Sequence, residues 1–587
     1  MPMENLEIAK VLSQMGDLLE IQDANPFRVR AYRNAARLVD GHAKPMRKLV
    51  EEESDLTELP GIGKEMAKHI HELIETGGLS ALDELAEKIP RSLIDVIELP
   101  GVGPKKAKKL WKELGIETVD ELEQRAEAGE VAALDGFGEK SQQKILTGIE
   151  QFRQHRSRFK LVEADLLVAP LLEYLRESPE IERLEVAGSY RRRVETVGDI
   201  DLLAIASDAD AVMERFTAYP KVTQVQMSGS TRGRVSLQSG LEVDLRILTE
   251  PSYGAALVYF TGSKEHNIKL RKRAIERGLR LSEYGVFREE GDGQQESGDR
   301  DPWAGEQVAG RTEEEVYATV ELPWIAPELR EDRGEVEAAA KGDLPVLLEL
   351  ADMRGDLQMH STWSDGKNSI EEMVAACAER GYEYMALTDH SKALAMTGGL
   401  DAKRVREQWK EIEEVQERHP EIRILRSQEV DILADGTLDQ DDDVLEELDV
   451  VVISVHSRFD LPAAEQTARI LVALQHPQVD ILAHPTGRLI NRRPPFELQL
   501  DEVLHCAKEN GVVVELNAHP ERLDLKDTHL MLARELGLKV AISTDAHRAR
   551  DLDLMHYGVE QARRAWLSKS DVVNALPLRE FLQQLRS

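Results

Sequence analysis

Apolar positions change their period twice along the chain. Over the first 150 residues they recur at helical spacing, as in Met66, Ile70, Leu73 and Ile74, and again in Ala107, Leu110, Trp111 and Leu114. Each set follows a glycine turn. The turn occurs three times: LPGIGKEMAKHI from Leu59, LPGVGPKKAKKL from Leu99 and LDGFGEKSQQKI from Leu134. Pro104 suits a first helical position, where a missing N–H costs nothing. The pattern predicts short helices punctuated by Gly-x-Gly turns. Between about residues 160 and 250 the runs LEVAGS, DIDLLAIAS and LEVDLRIL read as strands. Residues 251–325 return to mixed helix and loop, with the acidic GDGQQESGDRD as an exposed loop, and IAPELREDRGEVEAAAKGD reads as a linker.

From residue 350 onward, apolar runs alternate with amphipathic stretches. The strand-like members are DLQMH, YMALTDH, IRILRSQEVD, DVVVISVH, VDILAHP, VVVELNAH and KVAISTDAH. About 240 residues of such alternation predict a parallel sheet closed as a barrel, with a flat doubly wound sheet as the competing geometry.

Composition narrows the chemistry. The 587 residues suit about three to five domains. A formal net charge of −34 excludes a chain that wraps nucleic acid by bulk positive charge. Any contact with nucleic acid would have to fall on local basic patches, with acid gathered on the linker and the barrel exterior. Two cysteines, Cys377 and Cys506, exclude a disulfide framework. No basic-then-apolar start and no long apolar run is seen, so a soluble cytoplasmic protein without membrane contact is expected.

A Gly-x-Gly turn at a helix start offers unhindered N–H groups to a phosphate. Each copy here is followed by lysine: Lys64, then Lys105 and Lys106, then Lys140. The third copy, with Asp135 and Glu139 around its glycines, suits a structural role. Asp199 and Asp201 lie two apart in a strand-like run and so share one face. Asp244 in EVDLRIL adds a third carboxylate from a neighbouring strand. Three convergent carboxylates repel unless a hard cation such as Mg²⁺ or Mn²⁺ neutralises them. Upstream, Gly188 and Ser189 form a turn able to hold a triphosphate, with Arg192 beside it.

These residues resemble the family X DNA polymerases over residues 1 to about 325. The resemblance implies gap-filling synthesis on gapped or nicked DNA with deoxynucleoside triphosphates. It places Asp199, Asp201 and Asp244 as the catalytic metal-binding triad, and Gly188, Ser189 and Arg192 on the triphosphate. YFTGSKEHN supplies Tyr259, Phe260, Thr261 and Gly262 against the nucleotide sugar, with Asn267 and Arg271 near the nascent base pair. Helix-hairpin-helix turns would grip DNA through Gly61, Gly63, Lys64, Gly101, Gly103 and Lys105. Two positions depart from the pattern. His69 stands where the family's lyase lysine is expected, and imidazole cannot form a Schiff base. Glu242 stands where a basic residue is common.

In the second half, ligand-type residues fall at the ends of apolar strands: His360, Asp365, His390, Glu429, His456, His484, Asp545 and His547. In a barrel, the carboxyl ends of the strands converge. Mixed imidazole and carboxylate donors suit Zn²⁺, Mn²⁺ or Fe²⁺. DLQMHSTWSDG, LTDHS, QEVDIL, SVHS, LAHPTGR and STDAH resemble the polymerase and histidinol phosphatase (PHP) domain. That resemblance implies a distorted seven-stranded βα barrel with three metals, cleaving phosphoesters as a 3′→5′ exonuclease or 3′-end phosphoesterase. Its first motif is His-x-His, whereas this chain has Gln358-Met-His360, and an amide is a poorer ligand.

The whole reads as a multidomain protein: α-helical helix-hairpin-helix domains, an α+β nucleotidyltransferase palm with thumb, and a C-terminal distorted (βα)7 PHP barrel. The expected division is an 8-kDa-like helical domain over 1–85, fingers over 86–155, palm over 156–250, thumb over 251–325, linker over 326–349 and barrel over 350–587. A monomeric repair enzyme that both extends and trims 3′ ends is the principal reading. A polymerase with a structural, catalytically weakened barrel is the second, motivated by Gln358. A DNA-end-binding scaffold is a third, opposed by the intact triad, since unneutralised carboxylates would be costly.

Overall fold

In the computed structural model, residues 5–585 are described other than 42–45, 52–53, 60, 77, 87, 98, 100, 157, 289–304 and 395–396. The acidic loop GDGQQESGDRD lies outside the described residues. The chain divides into two units, Met1–Ser157 and Arg158–Ser587.

In the first unit the repeated sequence produces a repeated backbone. The leading glycine of each turn is left-handed, at φ +95° for Gly61, +85° for Gly101 and +81° for Gly136. The next N–H then closes a tight turn, Ile62 on Leu59 O (3.0 Å), Val102 on Leu99 O (2.9 Å) and Phe137 on Leu134 O (3.0 Å). Helices Lys64–Thr76, Pro104–Leu114 and Glu139–Arg156 follow. Asp135 and Glu139 do not alter the third turn. Ile62 and Val102 are buried between their glycines and anchor the turns in an apolar core shared with helices Asn5–Ile21 and Pro26–Gly41.

The second unit opens on a five-stranded sheet: β1 (Ile181–Val186), β2 (Asp199–Ala206), β3 (Val222–Ser228), β4 (Arg232–Leu237) and β5 (Glu242–Leu248), in the order β1-β2-β5-β4-β3. Helices Leu161–Arg176 and Ala209–Thr217 cover one face through Val168, Leu171, Leu175, Val212, Met213 and Phe216. On the other face, Leu203 and Ile205 pack against helix Tyr253–Thr261, and the aspartates of β2 and β5 lie beyond that apolar patch. Helices Tyr253–Thr261 and Lys264–Ile275 and a small three-stranded antiparallel sheet follow.

Of residues 326–349, read from composition as a linker, the part 326–339 is packed, whereas 340–343 are exposed. Arg330 and Glu335 are fully buried, and Leu329 and Val336 join an apolar cluster with helix Tyr253–Thr261. Charge pairing explains how so polar a stretch can be internal. Arg330 Nη1 lies 2.6 Å from Glu313 Oε1, and Glu335 accepts from His266 Nδ1 at 2.5 Å and from the Arg333 N–H at 2.7 Å.

The barrel consists of seven parallel strands in sequential order: β6 (Gly355–Asp356), β7 (Tyr384–Leu387), β8 (Arg423–Asp431), β9 (Val450–Ser454), β10 (Ile481–Leu482), β11 (Val513–Asn517) and β12 (Val540–Ser543). It is nearly closed. The His360 N–H donates to Ala546 O at 2.8 Å and the Ala546 N–H to Gln358 O at 3.3 Å, joining the segments after β6 and β12. Strand alternation sends Tyr384, Ala386, Val450, Val452 and Ile481 to one core and Met385, Leu387, Val451, Ile453 and Leu482 to another, beneath the helices. Helix Leu578–Leu585 joins the first set, and Phe581 stacks on Tyr384 (centroids 4.9 Å apart) at the amino end of β7.

Removing one partner of a buried pair strands the other charge. Arg330→Ala is expected to destabilise by about 3–5 kcal/mol, read as a lower denaturant midpoint. Loss of the exposed Arg288–Glu306 pair should cost less than about 1 kcal/mol.

Candidate functional site

On the open face of the five-stranded sheet, β2 pairs in parallel with β5, so Asp201 stands opposite Asp244 and Asp199 opposite Glu242. Asp199 is exposed, Asp201 half-buried and Asp244 buried. Burial, reinforced by the charges of Asp199 and Asp244, pushes the Asp201 carboxyl up to about 6. Asp244 is compensated from β4, where Arg234 is its register partner. Arg234 Nε and Nη2 lie 2.7 and 2.5 Å from Asp244 Oδ2, and Arg232 Nη2 lies 3.4 Å from Oδ1. Neither arginine stood out in the sequence. The signal was available in TRGRVSLQ, where Arg232, Arg234 and Ser236 alternate with buried Gly233, Val235 and Leu237.

Gly188 (φ +66°) brings the Gly-Ser turn directly against this row. A Cβ at that position would sit 2.6 Å from Asp201 Oδ2. Ser189 is half-buried in the same turn. Arg192 is fully engaged on one side, its Nε on Glu331 Oε1 at 2.9 Å and its Nη1 on Thr261 O at 2.8 Å. Tyr259 and Phe260 meet edge to face, 5.0 Å between centroids, with the Arg246 guanidinium 4.4 Å from the Phe260 ring. Asn267 clamps this segment, donating Nδ2 to Tyr259 O (2.7 Å) and Gly262 O (3.2 Å). A Cβ on Gly262 would meet Asn267 Oδ1 at 2.8 Å, and Arg271 Nε donates to Asn267 O at 3.3 Å. Asn267 and Arg271 thus shape the backbone beside the acid row.

In the helical unit, Gly61, Gly63, Lys64, Gly101, Gly103 and Lys105 are all exposed. Gly63 and Gly103 are not left-handed, and an added Cβ would meet nothing within 4 Å. Neither backbone conformation nor packing demands glycine there, whereas close approach of a phosphate to the N–H groups would. Around the second turn, Lys108 pairs with Asp23 and Lys109 with Asp135. His69 is buried, its Nδ1 3.1 Å from Tyr32 Oη, and burial lowers its pKa.

The barrel brings its ligand-type residues together at the carboxyl ends of the strands. Donor atoms of His360, Asp365, His390 and His547 lie within 4.8 Å of one another, as do those of His390, Glu429 and His456, so His390 serves both groups. Glu429 is the hub. Its Oε2 lies 3.1 Å from His390 Nδ1 and its Oε1 2.9 Å from His484 Nε2 and 3.5 Å from His456 Nε2. Asp545 Oδ1 lies 3.2 Å from His360 Nε2. Burial works to raise the Glu429 carboxyl, but the imidazoles of His390, His456 and His484 outweigh it and hold it well below the usual range. Burial lowers His390 to about 4, while at His547 the carboxylates of Asp365 and Asp545 overcome burial and push it up to about 9. His484 (φ +28°) and Asp545 (φ +54°) hold left-handed backbone, a strain that persists only where surroundings impose it.

Gln358 is 1% exposed, and neither its amide oxygen nor its nitrogen has a hydrogen-bond partner among the described residues. A buried carboxamide left so is costly, and a cation bound through its oxygen would satisfy it. The nitrogen and oxygen donors gathered around Asp365 and Glu429 fit a divalent-metal cluster.

Several supporting residues were missed in the sequence. Asp389 accepts from Ser361 N (2.9 Å), Ser361 Oγ (2.7 Å) and Gln408 Nε2 (2.6 Å), fixing the loop that carries Asp365. Asp431 holds His456 Nδ1 at 3.0 Å, and Asn517 Nδ2 donates to Asp545 Oδ2 at 3.2 Å. Arg522 Nε lies 3.4 Å from the same oxygen. These partners sit in strands and loops already crowded with acids, so spacing alone could not single them out.

Comparison with known proteins gives four family matches: a helix-hairpin-helix domain over residues 3–79, a SAM-like helix-hairpin-helix tandem over 91–150, the DNA polymerase beta thumb over 256–331 and the PHP domain over 356–519. The DNA polymerase/3′-5′ exonuclease PolX of Bacillus subtilis is 41% identical over 580 residues, covering 98% of both chains. A probable phosphatase of Thermoanaerobacter sp. is 25% identical over 231 residues, 37% of this chain and 89% of that protein. A probable phosphatase of Acetivibrio thermocellus is 29% identical over 188 residues, 31% of this chain and 73% of that protein.

An acid with a raised folded-state pKa binds more protons folded than unfolded. Ionising Asp201 therefore costs stability as pH rises from about 4 to about 6 in chelator, and the loss persists above. Asp201→Asn should raise metal-free stability at pH 8 by up to about 3 kcal/mol and abolish stabilisation by Mg²⁺, both read by thermal denaturation. In chelator-competition titrations, Gln358→His should bind Zn²⁺ about tenfold tighter at the weakest barrel site, and Gln358→Ala more weakly than the natural protein.

Proposed function

The chain belongs to the family X DNA polymerases that carry a PHP domain, and from that premise we propose that it fills short gaps during DNA repair and trims 3′ ends in its barrel. It is a DNA-directed DNA polymerase with a 3′→5′ exonuclease. The observation that carries the polymerase reading is the register of Asp201 against Asp244 with the Gly188 turn packed on Asp201. In this reading Asp199, Asp201 and Asp244 hold Mg²⁺ or Mn²⁺, and Asp244 stands nearest the primer 3′ hydroxyl. When bound, such ions neutralise the charge on the attacking and leaving oxygens. The chain's own groups do the positioning. Gly188 and Ser189 cradle the triphosphate, Arg192 adds charge beside it, and Gly262 and the Tyr259–Phe260 pair bound the sugar under the Asn267 clamp. The exposed turns at Gly61–Lys64 and Gly101–Lys105 grip the DNA backbone without reading sequence.

In the barrel, Gln358, His360, Asp365, His390, Glu429, His456, His484, Asp545 and His547 hold Zn²⁺, Mn²⁺ or Fe²⁺. Such ions, when bound, polarise a phosphodiester. Asp431 and Asn517 orient the ligands, and the Arg522 guanidinium stands beside Asp545, where a scissile phosphate would meet it. The enzyme works as a monomer in the cytoplasm on gapped or nicked DNA. Gln358, a weaker ligand where the family's first motif has histidine, motivates a second reading, a barrel whose chemistry has weakened to a structural role.

Two variants separate the activities. On gapped DNA, Asp201→Asn should lower primer extension by at least about a thousandfold while leaving 3′→5′ degradation intact. His484→Ala should do the reverse. Equal degradation by His484→Ala and the natural protein would leave the barrel structural, and extension unaffected by Asp201→Asn would remove the polymerase assignment.

A further inference from the structure

The Gly188–Arg193 turn is held from behind by the barrel. Helix Met555–Arg564 presents Tyr557, Glu560 and Arg564 along one face, at the i, i+3, i+7 spacing. Tyr557 Oη donates to Asp165 Oδ2 at 2.8 Å, and Asp165 takes both terminal nitrogens of Arg193, at 3.0 and 3.1 Å. Glu560 Oε2 lies 2.8 Å from Arg193 Nε. Arg193 is left-handed at φ +55°, a conformation that a non-glycine residue keeps only under such constraint.

Arg564 reaches furthest. Its side chain is 3% exposed. Nη1 donates to the Arg192 carbonyl (2.8 Å) and to Glu331 Oε1 (2.9 Å), while Nε and Nη2 donate to Asp527 Oδ2 (3.1 and 2.7 Å). The same Glu331 oxygen accepts Arg192 Nε at 2.9 Å, and Arg192 Nη1 in turn holds the Thr261 carbonyl at 2.8 Å. One buried guanidinium thus fixes both the backbone of Arg192 and the carboxylate that aims its side chain. The platform is rigid, because a Cβ on Gly558 would sit 2.5 Å from Ile542 Cγ2 and 2.7 Å from Ala518 Cβ, so the helix is pressed onto the barrel wall.

We propose that Arg564, though part of the phosphoesterase barrel, is a positioning residue of the polymerase, holding Arg192 toward the incoming nucleotide through Glu331. This rests on the reading of the Gly188–Arg192 turn as the triphosphate site. Lysine at 564 would keep the charge but could not span Asp527, Glu331 and the Arg192 carbonyl together.

The test uses the full chain on single-nucleotide-gapped DNA, with nucleotide KM and kcat, direct nucleotide binding to a complex with a dideoxy-terminated primer, and single-strand degradation as a reporter of barrel integrity. Arg564→Gln should raise nucleotide KM and Kd about tenfold, with kcat within about threefold and degradation within about twofold of the natural protein. Arg564→Lys should fall between. Glu331→Gln should raise KM to a similar extent, and the double variant no further, as expected of residues acting in series. Unchanged KM in a folded Arg564→Gln overturns the proposal. If that variant loses both activities, unchanged KM in Glu331→Gln overturns it instead. Arg192→Gln separates the two levels: raised KM there alone rejects only the role of Arg564, whereas unchanged KM there rejects the triphosphate assignment beneath it.

Discussion

Acidic groups brought close together and out of water must be met by positive charge, and this molecule's architecture is arranged around that demand. On the five-stranded sheet the row Asp199, Asp201 and Asp244 is compensated on one side only, by Arg234 and Arg232 from the neighbouring strand. Asp201 is left with a raised pKa that Arg246 and Arg234 relieve only in part. In the barrel the buried Glu429 is ringed by four imidazoles, those of His360, His390, His456 and His484. Both clusters are carboxylate-rich sites whose remaining compensation is best supplied by divalent cations.

A third set of charges pairs within the fold and does structural work. Arg192, Arg193, Arg333 and Arg564 meet Asp165, Glu331, Asp527 and Glu560 between the sheet and the barrel. Arg488 with Glu195 and Lys160 with Glu521 extend the same seam. Pairing at this density turns two activities read as separate modules into one body over Arg158–Ser587. The Gly188–Arg193 turn is consequently braced by a helix whose Arg564 lies 372 residues from Arg192 in sequence.

Much of this was legible in the sequence because it is carried by short-range pattern. Three Gly-x-Gly turns, two aspartates two apart, and histidines at successive strand ends each translate directly into a turn, a face or a rim. What escaped is long-range. Arg234 faces Asp244 only through a strand register that sequence spacing does not encode, and Asp389 becomes a hub only once Ser361 and Gln408 have been folded onto it. The stretch 326–349 looked like a linker because its composition is polar. Arg330 and Glu335 are nevertheless internal, because each finds a partner from a distant segment, Arg330 in Glu313 and Glu335 in His266.

Anomalous diffraction from crystals grown with Mn²⁺ tests the electrostatic account most directly. The account predicts peaks at about 2.0–2.4 Å from carboxylate oxygens of Asp199, Asp201 and Asp244, with Arg234 drawn off Asp244, alongside peaks among His360, His390, Glu429 and Asp545. Peaks confined to the barrel, with Arg234 still seated on Asp244 and nothing among the three aspartates, would contradict it.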